Sequence, residues 1–182
     1  MFEKVIFLDI DGVLNCISSK SFCETEDGLC ITGIDKDKVQ RLSALVTETK
    51  ADIVLVSSWK YDWYKPARFL FDKPELSNHA KYLTKHLYKK GKLTIADKTS
   101  TCPCGRGEEI YFWLKMHPET KEWVILDDED WAYYHKYDKL ERHWVQTDDE
   151  FGLTDEDATA ALKILQGQHI GPVMCKERWD IE

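Results

Sequence analysis

The chain has 182 residues and a formal net charge of −8. Apolar residues make up 43% and charged residues 32% of it, which excludes a disordered or collagen-like chain and is typical of a globular protein. A chain of this length suits one domain, so we expect residues 1–182 to form a single unit that ends in a tail at 168–182.

The cellular location is predicted from the apolar runs. The stretch MFEKVIFLD has too short an apolar run for a signal peptide, and no run approaches the roughly 18 residues of a membrane-spanning helix. We therefore expect a cytoplasmic protein with no membrane partner. In that compartment its six cysteines favour free thiols over disulfides, and their spacing lacks the paired CxxC typical of structural zinc sites.

Buried strands alternate with amphipathic helices along the chain. In chain order, the patterns first predict a strand at 5–8, a helix at 35–49 with Asp35 as N-cap, and a strand at 53–56. Helices follow at 60–72 and 77–90, the second opened by Ser77 and closed by Gly91. The remaining elements are a strand at 93–96, a helix at 108–116, strands at 123–126 and 143–146, and a last helix that begins at the cap Thr154 and ends before Gly167. The alternation favours βαβ crossovers, hence an α/β fold whose parallel sheet is covered on both faces.

Three of the predicted strands end in polar residues. The strand at 5–8 runs into DIDG, the strand at 53–56 into Ser57 and Ser58, and the strand at 123–126 into DDED. The crevice of an open α/β sheet lies beyond the carboxyl ends of its strands, so these residues are expected to meet there. A lone DxDG is also compatible with a simple turn. Clustered carboxylates repel one another, however, and a bound Mg²⁺ would offset that repulsion because it prefers oxygen ligands and accepts phosphate oxygens.

The stretches DIDGVLN, VSSW and ILDDED, in this order, resemble the haloacid dehalogenase (HAD) superfamily of phosphohydrolases and phosphotransferases over residues 5 to about 165. The segment RGEEIYFWLK resembles the corresponding part of the phosphatase domain in composite RNA-repair proteins. The resemblance implies a three-layer Rossmann-like fold with a mainly parallel central sheet, and a phosphoric monoester hydrolase.

The resemblance also implies a role for each carboxylate. Asp9 would be the nucleophile that forms an aspartyl-phosphate, and Asp11 would protonate the leaving oxygen. Ser57 would hydrogen-bond the transferred phosphoryl group. Mg²⁺ would be held by the Asp9 carboxylate, the Asp11 backbone carbonyl and the acidic pair, with Asp128 favoured over Asp127 as the direct ligand.

Two residues are candidates for the basic residue of such a site. Lys98 and Arg106 both precede the strand at 123–126, and Arg106 is favoured because a guanidinium at a helix N-terminus is well suited to phosphate. A surface ion pair between Arg106 and a neighbouring glutamate is the competing interpretation. Residues beside the motifs are expected to contact substrate, namely Gly12, Ser58, Trp59 and Lys60.

The spacing of the motifs leaves little room for a cap domain. Only about 20 residues separate Asn15 from the first helix, and the strand at 93–96 runs directly into the basic motif. We therefore predict a minimal cap or none, with residues 16–33 as a flap over an open site. An open site favours a large substrate, such as a phosphorylated nucleic-acid end.

The charge distribution supports the same substrate. Residues 60–98 carry ten Lys or Arg against four Asp or Glu, a net of +6, so the remainder carries −14. Aromatic residues alternate with these lysines, which is typical of single-strand binding, although core packing and a solvated helix face explain the pattern as well. We expect RNA or DNA ends as partners. A phosphoprotein phosphatase and a catalytically silent metal-binding or partner-binding module are the alternatives.

Overall fold

A five-stranded parallel sheet forms the centre of the fold. The structure is a computed structural model that describes residues 2–19, 22–24, 30–61, 63–64, 75–129, 134 and 138–168. The sheet strands are β1 (Lys4–Leu8), β4 (Asp52–Leu55), β5 (Ile95–Lys98), β6 (Glu122–Asp127) and β7 (Trp144–Gln146). Their spatial order is β5-β4-β1-β6-β7, and every neighbouring pair is parallel. The predicted α/β class is confirmed, and β1 lies in the middle because its apolar residues are buried on both sides.

Helices cover both faces of this sheet. They are α1 (Lys36–Thr49), α2 (Asn78–Gly91), α3 (Arg106–Met116), α4 (Asp138–Glu141) and α5 (Asp155–Leu165). Alternate residues of the strands point to opposite faces, so Ile6 and Leu8 pack with α1, α2 and α5, whereas Val5 and Phe7 pack with α3 and α4. The two apolar layers give the predicted three-layer architecture. No helix in the described ranges is both long and apolar enough to cross a membrane.

A small hairpin lies between β1 and α1. Strands β2 (Phe22–Glu24) and β3 (Cys30–Thr32) pair antiparallel within the segment predicted as a flap. The chain before the hairpin is attached to the body of the fold, because Ile17 N–H donates to the Asp149 carbonyl at 2.9 Å. Between β1 and α1 the described residues therefore include this hairpin and no larger insertion.

Two predicted elements differ from the structure. The strand predicted at 93–96 is instead Ile95–Lys98, since Leu93 is buried just before the strand and the polar Asp97 continues it, held by a 2.8 Å bond from Trp113 Nε1. The helix predicted at 60–72 is reduced, where it is described, to a 3₁₀ turn at Ser58–Lys60, and Tyr64 forms an antiparallel bridge with Leu76. Residues 65–72 lie outside the described residues.

Two predicted cap residues also act differently. Asp35 occupies the N-cap position of α1 without capping it, because its carboxylate accepts from Ser19 Oγ and Lys38 Nζ instead. Gly91 was expected to end α2, but Lys92 takes the left-handed conformation there. Gly91 is required for a different reason, since a Cβ at this position would lie 2.8 Å from Val39 Cγ1 of α1. The predicted caps Ser77 and Thr154 are confirmed.

Candidate active site

The carboxyl ends of β4, β1 and β6 meet around one open cavity. Asp9 and Asp11 follow β1, Ser57 and Ser58 follow β4, and Asp127 ends β6. The cavity has a volume of about 290 Å³, and its lining includes Asp9, Asp11, Ser58, Arg106, Glu109 and Asp128. Four separate segments of the sequence therefore contribute to one pocket, at the edge of the sheet where parallel strands bind ligands.

Asp9 is a buried carboxylate with fixed partners. It is 1% exposed, its Oδ1 accepts from the Ile10 N–H at 2.7 Å, and its Oδ2 accepts from Arg106 Nη1 at 2.7 Å. Burial and the neighbouring Asp127 raise the pKa of Asp9 to about 7, against smaller opposing contributions from Arg106, the Ser57 hydroxyl and the Ile10 N–H. A further positive charge at this carboxylate would restore its ionised form near neutral pH.

Arg106 joins the nucleophile position to β6. The same Nη1 that contacts Asp9 donates to both oxygens of Asp127, at 2.9 and 2.8 Å. Burial would lower the pKa of this guanidinium, but Asp127 and Asp9 raise it above its ordinary value. The Asp127 carboxylate, 0% exposed, also accepts from the Tyr134 hydroxyl at 2.7 Å and the Glu129 N–H at 3.0 Å. Arg106 therefore lies in the pocket and bonds Asp9. A surface ion pair with a neighbouring glutamate, the competing interpretation, does not account for this position.

Asp128 completes an acidic cluster. Carboxylate oxygens of Asp9, Asp127 and Asp128 all lie within 4.8 Å of one another. Burial, followed by the charges of Asp127, Asp9 and Glu129, raises the pKa of Asp128 to about 8. Among the described residues Asp128 forms no ion pair, whereas Asp127 is bound by Arg106. This geometry agrees with Asp128 as the more accessible ligand of the two.

Gly12 makes room for the Asp128 carboxylate. Its φ is +71°, and a Cβ at this position would lie 2.1 Å from Asp128 Cγ, inside any possible contact distance. The site fits a hard divalent cation for three reasons: its carboxylate oxygens lie close together, the pKa values of its carboxyl groups are raised, and the glycine leaves space beside them. Asp9, Asp127 and Asp128 are the residues that could hold it.

Asp11 is held by two side chains at the cavity wall. Its Oδ1 accepts from Asn15 Nδ2 and its Oδ2 from Trp59 Nε1, both at 2.8 Å. Asp11 itself is exposed, whereas Trp59 is buried against His79 at a ring distance of 4.1 Å. The indole N–H of Trp59 thus orients the Asp11 carboxylate, and the predicted contact of Trp59 with substrate stays a prediction.

Ser57 and Ser58 differ in exposure although they are adjacent. Ser57 is 0% exposed and its hydroxyl accepts from the Trp59 N–H at 3.4 Å. Ser58 is exposed and lines the cavity. Both lie where the sequence motif predicts, at the end of β4.

Two predicted site residues lie away from the cavity lining. Lys98 ends the edge strand β5, paired with Leu55, and is absent from the residues described as lining the pocket. Lys60 is buried, and its Nζ donates to Glu109 Oε2 at 2.6 Å and to the Val56 carbonyl at 2.9 Å. Its ammonium is thus engaged by protein groups in this geometry, and its predicted contact with substrate stays a prediction.

The motifs assigned no role in the site to three residues that support it. Asn15 holds Asp11, Tyr134 holds Asp127, and Glu109 pairs with Lys60. Asn15 follows Asp11 by one helical turn of sequence, so its proximity gave a usable signal. Tyr134 and Glu109 meet partners on other elements, and no local pattern reveals such contacts.

Asp9 and Asp11 follow the first strand of the sheet, and the acidic pair Asp127 and Asp128 lies at the end of a later one. HAD domains have their carboxylates in the same order along the chain. Residues 5–158 match the family described as the HAD domain in Swiss Army Knife RNA repair proteins, and the chain belongs to this family. The match confirms the resemblance predicted from the motifs and supports a phosphatase-type hydrolase in general. No curated protein matches the chain.

Proposed function

We propose that the protein is a magnesium-dependent phosphatase that uses an aspartyl-phosphate on Asp9 to remove a terminal phosphate from a nucleic acid or nucleotide. One observation carries the proposal: the buried Asp9 carboxylate bonds Arg106 and lies beside Asp127 and Asp128, at the rim of an open pocket. A nucleophile, a guanidinium and a cation-binding cluster are the groups that phosphoryl transfer requires.

The first half of the reaction transfers the phosphoryl group to Asp9. A carboxylate oxygen of Asp9 forms a bond to phosphorus as the bond from phosphorus to the leaving oxygen breaks. The Asp11 carboxyl group donates its proton to that leaving oxygen. Arg106, Ser57 and backbone N–H groups of the pocket stabilise the charge on the phosphoryl oxygens.

The second half releases phosphate. Asp11, now a carboxylate, accepts a proton from a water molecule whose oxygen attacks phosphorus, and the bond from phosphorus to Asp9 breaks. Trp59 and Asn15 hold Asp11 for both proton transfers. When bound at the acidic cluster, Mg²⁺ supplies charge neutralisation for the carboxylates and the phosphate.

The nucleic-acid part of the proposal is supported by the open pocket and by α2. The helix has no acidic residue, and Lys81, Lys85, Lys89 and Tyr88 are exposed on one face. Lys90 does not belong to this face, because its Nζ donates to the Ile34 carbonyl. The family name, which refers to RNA repair proteins, agrees with a polyanionic substrate.

The first experiment measures phosphate release from a panel of substrates. It compares 3′- and 5′-phosphorylated RNA and DNA oligonucleotides, mononucleotides, phosphopeptides and an aryl phosphate, with and without Mg²⁺. Asp9→Asn is the control and is expected to abolish turnover while the fold is retained. Normal turnover by Asp9→Asn would refute the mechanism. A preference for phosphopeptides would favour a phosphoprotein phosphatase.

The second experiment tests the basic face of α2. Changing Lys81, Lys85 and Lys89 together to Gln should raise KM for an oligonucleotide and reduce its salt dependence, while turnover of the aryl phosphate is unchanged. The matched control replaces Lys50, Lys115 and Lys121, exposed lysines that precede β4, end α3 and precede β6. Equal loss in both triple variants would mean that net charge, not this face, determines binding.

A further inference from the structure

Glu109 lies at the centre of a buried hydrogen-bond network beside the pocket. Its side chain and that of Lys60 are each 1% exposed, and their charged atoms are 2.6 Å apart. Glu109 Oε2 also accepts from Thr99 Oγ1 at 3.0 Å, and Oε1 accepts from the Cys102 N–H at 3.0 Å. Lys60 Nζ donates in addition to the Val56 carbonyl at 2.9 Å. The carboxylate thus has three donors, one from the segment after β4 and two from the segment after β5.

The network connects the segments that surround Arg106. Val56 and Lys60 belong to the connection after β4, Thr99 and Cys102 to the connection after β5, and Glu109 to the first turns of α3. The N-cap of α3 is Gly105, with φ +112°, and it offers no side chain to cap the helix. Glu109 therefore supplies a side-chain contact that ties the preceding loop to the start of α3.

Arg106 begins the same helix one turn earlier. Residues three apart on a helix lie on the same side, so Glu109 and Arg106 face the same cavity and both line it. The position of the Arg106 guanidinium on Asp9, at 2.7 Å, depends on where α3 begins and how it is rotated. A shift in the first turn of α3 would move this contact directly.

We propose that Glu109, paired with Lys60, is a positioning residue that holds the start of α3 so that the Arg106 guanidinium remains on Asp9. This role rests on the proposed phosphatase function, in which Arg106 stabilises the transferred phosphoryl group. Glu109 does not contact the reacting atoms in this scheme and acts through Arg106.

The ion pair between Lys60 and Glu109 also determines which of two neighbouring cations, Lys60 or Arg106, bonds Asp9. Lys60 is close enough to Arg106 and Asp9 to interact with both charges. Since Glu109 binds the Lys60 ammonium, Arg106 is the cation that bonds the nucleophile. A guanidinium offers planar, directed N–H donors to a phosphoryl group, whereas an ammonium is a point charge, so the choice of cation has consequences for geometry.

The test must remove the ion pair without leaving one buried charge alone, because an unpaired buried charge is strongly destabilising. The double replacement Lys60→Met with Glu109→Leu satisfies this condition, since both side chains become apolar and similar in size. Thermal melts should show that the double variant folds. If it does not fold, Lys60→Met with Glu109→Gln, which also removes both charges and keeps the shape of the side chain at position 109, takes its place in the same experiment.

The decisive measurement is a double-mutant cycle with Arg106→Met. In the wild-type background, loss of the Lys60–Glu109 pair should lower kcat by about 10²-fold, the cost of misplacing a reactive group by about 1 Å, with a smaller change in KM. In the Arg106→Met background the same replacement should change kcat little, because the group that it positions is already absent.

An additive cycle, in which the pair variant lowers kcat equally in both backgrounds, would overturn the positioning role and leave the proposed function intact. The same cycle measured as affinity for inorganic phosphate by calorimetry needs no turnover. It therefore decides the role of Glu109 even if no phosphate ester of the panel is hydrolysed, a result that would refute the proposed function separately.

Discussion

Replacing Gly12 by Ala should lower kcat by about 10²-fold at a modest cost in stability. The Ala Cβ would lie 2.1 Å from Asp128 Cγ, whereas ordinary contact begins at 3.4 Å, so the carboxylate must move by about 1.3 Å. A displacement of that size at a reacting group typically costs about 10²-fold in rate. The left-handed backbone at φ +71° adds roughly 1–2 kcal/mol for a residue with a Cβ.

Gly152→Ala is a matched control for the backbone effect. Gly152 has φ +67°, and a Cβ there would meet Lys38 Cε at 2.4 Å and the Val13 carbonyl oxygen at 2.9 Å. Both variants should lower the melting temperature by roughly 2–8 °C. Only Gly12→Ala is expected to lose most of the turnover and the rise in melting temperature that we expect Mg²⁺ to give the wild type.

The assay combines phosphate release with thermal melts in Mg²⁺ and in EDTA. If Gly12→Ala kept wild-type kcat and the same Mg²⁺-dependent stabilisation, the position of Asp128 beside Gly12 would have no part in catalysis or cation binding. Loss of turnover in Gly152→Ala as well would assign the effect to backbone strain.

Three further outcomes are expected. In EDTA, the pKa is about 7 for Asp9 and about 8 for Asp128 in the folded protein, whereas unfolded aspartates lose their protons near pH ~4. The folded protein therefore holds more protons than the unfolded chain between these values, and the melting temperature should fall as the pH rises from ~4 to about 8. Asp128→Asn should make that fall less steep. Trp59→Phe keeps an aromatic, though smaller, side chain and loses the N–H bond to Asp11, so kcat should drop more for an alkyl phosphate than for an aryl phosphate with a good leaving group. Equal losses would contradict a role through Asp11. Thr154→Ala removes the capping box of α5 and should cost about 1 kcal/mol in thermal melts without a change in kcat.

The sheet and the acidic rim could be predicted because their signals are local. A run of apolar residues followed at once by carboxylates predicts both a buried strand and the side chains at its end, as with Leu8 and Asp9. The central strands β1, β4 and β6 therefore lie within one residue of the predicted bounds. The edge strand β5 was shifted by two residues, because an edge strand tolerates a polar residue such as Asp97 that pattern reasoning excludes.

The partners of long basic side chains could not be predicted. Lys60 follows the β4 motif directly, and nothing in that motif indicates that its ammonium is bound by Glu109, a residue 49 positions away. The choice between Lys98 and Arg106 also depended on how the loop after β5 folds back onto the sheet. A flexible side chain reaches several angstroms from its backbone, and only the tertiary structure determines which acceptor it meets.

The acidic cluster is divided between β1 and β6, which are neighbours in the sheet although β1 ends at Leu8 and β6 begins only at Glu122. During synthesis, a chain that has not yet extended past β6 contains Asp9 without Asp127 and Asp128. Any partly unfolded form in which β6 separates from β1 likewise loses the cluster. A cation that binds only the complete cluster therefore stabilises the whole sheet, by about 2.7 kcal/mol at a concentration of 100 times its Kd. Cation binding would thus indicate both that β6 is paired with β1 and that the acidic residues of the site are assembled.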